Sequence, residues 1–519
     1  MKKVWVLFVA LIAAVVLAAC GGESSSAPSQ TNEGGTTEAG GGEIEEFVYA
    51  STSDVAGLSP ILTNDSVSAN VQEHVYETLF ERDTDTGELI PSLAESYENP
   101  DELTWIFKIR EDVVFHDGTP LNAESVKYTF DKLRDPATAA PRASLLEPVD
   151  EITVEDEFTV KITTKYPYGP FLASLAHSNA AIVSPTADQA QDLMSNPVGS
   201  GPFKFVSYTP GDQVVLEAFE DYRDGAPDIK KLVFKVVPEI STAISMLQTG
   251  EVDFIDNLPS EQIARIESIQ NVDIEKKDGT SVFYLAFNQS RPENQDENFR
   301  KAVAAAVDRD TFVGKLNGLG LRSDSVLGPM VFGYNESKNA AGQAYDPELA
   351  KQLVEENGYG DRTISLLTAN RDNFILMAEI AQAQLTEAGF NVKIETMEWA
   401  TFLDTARAGQ FDITFLSWAN LTQDGSEMFY PNLHTDNIGS SNRAQYSNAE
   451  FDELVDASRT SVDQEERLNY LDQANGLLLE QNDVVVMYHG VVTGAMNSEY
   501  TNLILEPNGK WTLKDVTRK

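Results

Sequence analysis

Beyond residue 43, apolar and polar positions fall into two alternating periods. Trp105, Phe107 and Ile109 alternate with Ile106, Lys108 and Arg110, the period-two signal of a strand. Asp117-Gly118 marks a turn, and Asn122 is placed to cap a helix with Val126, Phe130 and Leu133 on one face. Ile152–Val154 and Thr159–Ile162 flank Asp156-Glu157 as a hairpin. Ser241–Gln248 reads as a helix stopped by Gly250, followed by a strand over Val252–Ile255. The clearest run is 364–418. A strand over Ile364–Ala369 leads to a helix over Phe374–Ala388 ended by Gly389. Alternating Phe390, Val392 and Ile394 follow, then a helix over Thr401–Ala408 ended by Gly409, then alternating Phe411, Ile413 and Phe415. Strand and helix in alternation predict parallel strands joined by crossover helices. Upstream, Phe299, Val303, Ala306 and Val307 share a helix face, and Asp346-Pro347 reads as a cap with proline at the first helical position. Residues from about 290 to 490 therefore read as one α/β lobe, and the class is α/β. No short-period repeat occurs.

The first residues follow neither period. Lys2 and Lys3 precede an unbroken apolar run, Val4–Val16. That run is shorter than the ~20 residues that cross a bilayer. With Leu17, Ala18, Ala19 and Cys20 behind it, it has the layout of an export signal. The Leu-Ala-Ala-Cys stretch resembles the lipobox of bacterial lipoproteins. The resemblance implies a signal peptide over 1–19 and a diacylglyceryl thioether on Cys20, enough for a stable two-chain anchor. Residues 20–43, rich in Ser, Thr, Gly and Glu, read as a flexible tether. No later segment is long and apolar enough to span a membrane.

Length and charge narrow the function. A chain of 519 residues exceeds one typical core, so two or three lobes are expected. Lys and Arg number 38 against 82 Asp and Glu, a net charge of −44, which repels nucleic acid and anionic headgroups. The acid excess suits a cationic solute, and equally a solvated surface in high salt or at high external pH. Cys20 is the sole cysteine, so no intramolecular disulfide or cysteine metal cluster forms.

No catalytic centre emerges. His74, His116, His177, His434 and His489 lack partners at metal-ligand spacing, so no metal or cofactor is expected. There is no Gly-x-Ser-x-Gly elbow. Gly199-Ser-Gly-Pro202 imitates a phosphate loop, but Pro202 removes a donor and no Gly-Lys-Ser/Thr follows. Aromatic positions say more. Trp418 lies at the carboxyl end of its strand, the edge where α/β sheets hold ligands. Asn420, Thr422, Gln423 and Asp424 follow in a loop, then Tyr430 and Arg443. Asp424 suits an amine and Arg443 a carboxylate. The same residues also read as a core tryptophan, a solvated loop and a surface arginine.

Several stretches resemble the family 5 solute-binding proteins of ABC importers. They are Leu93–Tyr97 (LAESY) leading into Leu103–Arg110 and Val114–Leu121 (VFHDGTPL), Gly199–Phe205 with Tyr208 and Pro210-Gly-Asp212, Leu247–Phe254 (LQTGEVDF), and Phe287-Asn288 with Phe299–Ala302 and Val307-Asp-Arg309. The likeness runs from about 46 to 497. It implies a two-lobed periplasmic-binding-protein-like fold, with an inserted subdomain and hinge closure around a ligand. Lobe I would combine 44–75, 196–285 and 490–519, with the insertion at 76–195, and lobe II would be 286–489. Phe283–Asn288 would be one hinge strand. The implied protein is no enzyme but a monomeric receptor, lipid-anchored on the outer face of the cell membrane, which hands solute to permease and ATPase subunits. Peptide receptors of this family carry an aspartate three residues after the equivalent of Trp418; here that position is Leu421 and the aspartate is Asp424. That spacing, Tyr430-Pro431, Asn442-Arg443, Leu62–Ser66 and His74–Glu77 are similar to the glutathione receptors. The expected ligand is thus a short peptide or peptide-like solute such as glutathione, bound by Trp418, Asn420, Asp424, Tyr430 and Arg443. On this reading Asp424 is a ligand contact whose loss leaves the empty fold intact. The alternatives are a nickel-chelate or oligosaccharide receptor on the same scaffold, a secreted hydrolase, and a sensory lipoprotein.

Overall fold

The computed structural model describes residues 42–335 and 343–519. The expected signal, Cys20 and nearly all of the expected tether lie outside them. Within them, local signals become elements. Strand Thr104–Ile109 buries Trp105, Phe107 and Ile109. Asn122 caps helix Ala123–Arg134 through a capping box with Ser125, and Val126, Phe130 and Leu133 are buried. Helix Ile240–Thr249 ends on Gly250 at φ 78°, a left-handed turn that costs glycine nothing. The next strand is Phe254–Asp256, later than the expected Val252–Ile255. Asp253 is already tied at its edge, its N–H to the Val48 carbonyl and its carboxylate to the Val48 N–H.

The parallel unit has the predicted topology. Thr363–Ala369 lies between Asn391–Met397 and Ile413–Ala419 and runs parallel to both. Helices Asp372–Glu387 and Trp399–Arg407 make the crossovers.

These strands form one end of an eleven-stranded sheet. Beside Ile413–Ala419 run two long antiparallel strands, Val272–Phe287 and Val484–Asn497. The sheet then continues through Phe254–Asp256, Phe47–Ser51, Lys231–Val236, Gln213–Ala218 and Phe203–Thr209. The long pair runs from Val272 opposite Asn497 to Ala286 opposite Val484, with register shifts between Asp278 and Val282 and between Phe283 and Tyr284. The first shift falls where a side chain on Gly279 would strike the Gly490 carbonyl. The pair thus joins two halves of the molecule, each with its own core.

One core gathers buried residues between Val282 and Tyr488, including Phe299, Phe415 and Leu478. The other gathers Phe47, Phe107, Phe130, Phe203 and Trp511 from both chain ends and the middle. A smaller cluster around Ile244, Leu247 and Ile266 covers the same half of the sheet. The fold is two-lobed. The 44–234 side also carries a separate four-stranded sheet, in the order Ala94–Asp101, Thr104–Ile109, Thr159–Thr164, Val149–Asp156.

The glycine-rich 199–202 segment is a packing device. A side chain on Gly199 or Gly201 would fall on the backbone of His74 and Val75 at the end of helix Ser66–Val75. His74 is buried there, with Nδ1 2.7 Å from the Asn70 carbonyl and Nε2 accepting the Leu513 N–H at 3.1 Å. Burial lowers its pKa to about 4. Among the described residues no three His, Cys, Asp or Glu are grouped to hold a metal, and no helix is long and apolar enough to cross a membrane.

Candidate functional site

The two lobes meet across a cleft. Its lobe I wall is a hairpin, Phe80–Arg82 paired with Leu89–Pro91. Asp83 stiffens the turn by accepting the Asp85 and Thr86 N–H groups. Asp85 pairs with Lys277 of the long central strand at 2.8 Å. The lobe II wall is the loop after strand Ile413–Ala419. Thr422 donates its N–H and its hydroxyl to Glu427, both at 2.7 Å, and Asn420 Nδ2 donates to the Asp424 carbonyl at 2.7 Å. The Arg82 guanidinium crosses from one wall to the other. It donates to the Gly87 carbonyl of its own hairpin at 2.6 Å and to the Thr422 carbonyl opposite. A second crossing joins the Gly169 N–H to the Arg459 carbonyl at 2.8 Å.

Two cavities lie in this cleft. The first, of about 260 Å³, has Glu73, Glu77, Glu81, Asp83 and Glu506 on its lobe I side and Leu421 and Thr422 on the other. Most of these carboxylates are occupied. Lys510 pairs with Glu73 at 2.5 Å and with Glu506 at 3.5 Å. Glu77 pairs with Arg223 at 3.0 Å and accepts from Ser200 and Tyr222. Burial pushes the Glu77 pKa up to about 7 against these stabilising contacts. Glu81 has neither a hydrogen bond nor an ion pair on its carboxylate. Its side chain is still exposed to solvent; the protein packed around it raises its pKa by desolvation, which the charges of Arg223 and Lys514 only partly offset. The second cavity, of about 320 Å³, is more apolar, with Leu89, Leu172, Met330 and Phe332 alongside Asp424 and Arg467.

The residues expected at the site are dispersed. Asp424 lines the second cavity, but its carboxylate is already engaged. Oδ1 accepts the Ser426 N–H and hydroxyl and so caps helix Gly425–Leu433, while Oδ2 pairs with Arg467 at 2.6 Å. Burial alone would raise its pKa; Arg467 and the Ser426 donors outweigh burial and hold it below the ordinary value. Asn420 fixes the loop. Trp418 is half-buried against the lobe II core, its Nε1 without a partner. The Tyr430 ring is covered by Arg459 at 3.5 Å. Arg443 keeps an unpartnered Nε, and its charge acts on the Tyr284 hydroxyl. Trp418, Tyr430 and Arg443 line neither cavity.

Glu81, Arg82 and Arg467 are not among the residues expected at a site from the sequence. The one hint is an isolated arginine among Glu81, Asp83, Asp85 and Glu88. Its partner is 340 positions away, which no local pattern reveals.

Comparison with known proteins supplies the class. The model of bacterial extracellular solute-binding proteins, family 5 (middle), matches residues 88–440. Heme-binding protein A of Haemophilus influenzae is 30% identical over 499 residues, covering 89% of this chain and 90% of that protein. The dipeptide-binding protein of Escherichia coli is 27% identical over 511 residues, covering 92% and 95%. Among solved structures, HbpA2 from Haemophilus parasuis superposes with a TM-score of 0.84 at 26% identity, covering 92% of this chain and 100% of that one. These relatives are binding proteins rather than enzymes. With two lobes joined by paired strands around a cleft, and a family match over more than half its length, the chain belongs to the bacterial extracellular solute-binding proteins of family 5.

Proposed function

We propose that this protein is the extracytoplasmic receptor of an ABC importer, held to the membrane by lipid on Cys20, and that it captures short peptides or peptide-like solutes such as glutathione for permease and ATPase subunits. The observation that carries this reading is the carboxylate-rich cavity of about 260 Å³ between the lobes, with Glu81 unpaired on its wall. A peptide ammonium group suits that carboxylate. Glu81 is exposed to solvent in this structure, so a charge-assisted hydrogen bond to it strengthens as a bound ligand displaces that water. Asn420 and Asp424 take part by shaping the loop beside both cavities. We assign no ligand contact to Trp418, Tyr430 or Arg443, which line neither cavity.

The Haemophilus influenzae relative is named for haem, which makes haem the second reading to weigh. A porphyrin brings a broad apolar ring, which suits neither a chamber of about 260 Å³ nor a wall of five acidic residues with Arg82, Lys510 and Lys514. Among the described residues, no histidine or cysteine lines either cavity. The peptide reading is therefore preferred.

Calorimetric titration of the full chain in detergent with dipeptides, tripeptides, glutathione and haemin tests it. Peptides or glutathione should bind, and Glu81→Gln should weaken peptides with a free amino terminus by about tenfold or more, from a charged hydrogen bond of roughly 1.5–3 kcal/mol. N-acetylated peptides should not register the substitution. Binding of haemin alone would overturn the reading. For the anchor, Cys20→Ser should abolish incorporation of labelled fatty acid. Mature wild-type protein recovered without lipid would refute that part.

A further inference from the structure

Arg82 has a position that capturing a short solute does not require. Among the described residues, it and Ala173 alone line both cavities. On one side of its guanidinium lies the acidic cavity of about 260 Å³; on the other lies the apolar cavity of about 320 Å³. Each is near the lower end of the range for ligand pockets, roughly 300–1,000 Å³, and joined they fall well inside it. Ala173 contributes only a methyl group to the common wall. The partition across the cleft is the Arg82 side chain bonded to the Thr422 carbonyl.

Both ends of that bond are held in place. On the arginine side, the second guanidinium nitrogen is anchored on Gly87, which turns the hairpin at φ 73°. On the acceptor side, Glu427 fixes Thr422 by two hydrogen bonds. The next residue, Gln423, is held at φ 58°, a left-handed conformation uncommon for a residue with a side chain. Gln423 is buried with both amide atoms unpartnered. Strain and unsatisfied polar atoms of this kind persist only where the surroundings impose them. Here they accompany the presentation of one carbonyl to one arginine. Asp424 and Glu427 behind the loop attract the guanidinium, while burial disfavours its charge and lowers its pKa to about 10.

We infer that Arg82 divides a single elongated cleft into two chambers and thereby sets the length of solute that the protein accepts. The inference rests on the peptide reading above. A short ligand fills the acidic chamber with its ammonium end. A longer one must break the bond to the Thr422 carbonyl and displace the guanidinium before its distal, apolar residues reach Leu89, Leu172, Met330 and Phe332. Arg82 is in this sense a specificity residue, acting through exclusion.

The test uses the full chain in detergent and a graded series of peptides of two to six residues with free amino termini and leucine at the distal positions. For wild type and Arg82→Ala, the ratio of long-peptide to dipeptide affinity is measured by calorimetry. The expected result is a ratio at least tenfold higher in Arg82→Ala, with Arg82→Lys in between, because lysine keeps a donor but loses the fork. An unchanged ratio in a folded variant overturns the inference. A crystal structure of Arg82→Ala reads the partition without ligand: one continuous cleft is expected, and two chambers still separate would overturn it. Wild-type protein that binds no peptide of any length overturns the functional reading alone, and the crystal structure then decides the partition by itself. Should Arg82→Ala fail to fold, Arg82→Gln carries both measurements.

Discussion

Replacing Asp424 with asparagine separates two accounts of that residue. Asparagine is as good a helix cap as aspartate, so the bonds from Ser426 survive and only the charge is lost. The side chains of Asp424 and Arg467 are 3% and 2% exposed and 2.6 Å apart. Removing one partner of a buried pair strands the other charge, a loss of roughly 3–5 kcal/mol. If the lobe of about 200 residues melts as one unit, its unfolding entropy is on the order of 0.4 kcal/mol/K, and the loss corresponds to a fall of about 7–12 °C. The effect also has a pH signature. The folded pKa of Asp424 lies below its ordinary value. The stability it contributes is therefore present above the unfolded pKa and is lost as pH falls through the depressed folded one. Calorimetry of the ligand-free full chain at pH 7 and at about pH 3, below the unfolded pKa, should thus show a wide gap between wild type and Asp424→Asn that narrows in acid. The double variant with Arg467→Met should recover much of the loss, because no charge is left unpaired. A melting temperature within 2 °C of wild type at pH 7, together with loss of peptide binding, would refute this reasoning and restore Asp424 as the amine contact.

Glu77→Gln should remove a proton-binding step. The folded pKa of Glu77 is raised to about 7, so wild type loses stability relative to the variant as pH rises from about 4.5 to about 7; a constant difference in melting temperature across that window would contradict the assignment. Gly199→Ala should destabilise by at least about 2–3 kcal/mol, since the added methyl meets the Val75 backbone rather than a movable side chain. Gly118→Ala, at φ 79° in open space, should cost only about 1 kcal/mol, and equal losses in chemical denaturation would dispose of the packing argument. Small-angle scattering with and without saturating tripeptide should show a smaller radius of gyration when ligand is bound, because two strands join the lobes and leave them free to hinge. An unchanged radius would mean that the cleft is already closed when empty.

Elements signalled within a few residues were legible in the chain. Asn122 with Ser125 caps a helix, Asp346 followed by Pro347 opens another, and Gly250, Gly389 and Gly409 end three helices at positive φ. Cap and left-handed turn are properties of four or five consecutive residues, so no tertiary information is needed to place them. The parallel order of strands 363–419 was legible for the same reason, because crossover handedness follows from alternating elements. Family motifs carried the lobes and the binding class.

Only the tertiary structure decided which groups these side chains meet. Asp424 has the residue type and the strand-end position of a ligand contact, yet a helix begins behind it and Arg467 arrives from 43 residues further on. The strand Val272–Phe287 is long enough to serve both lobes, although only its last residues were readable as a hinge. Glu81 and Arg82 are commonplace charges in an acidic hairpin until the chain returns after 340 residues to set the Thr422 carbonyl against the guanidinium. The physical reason is one of range. Periodicity, caps and turns are governed by neighbours along the chain, whereas charge pairing, desolvation and the walls of a cleft depend on groups that only the complete fold brings within a few ångströms.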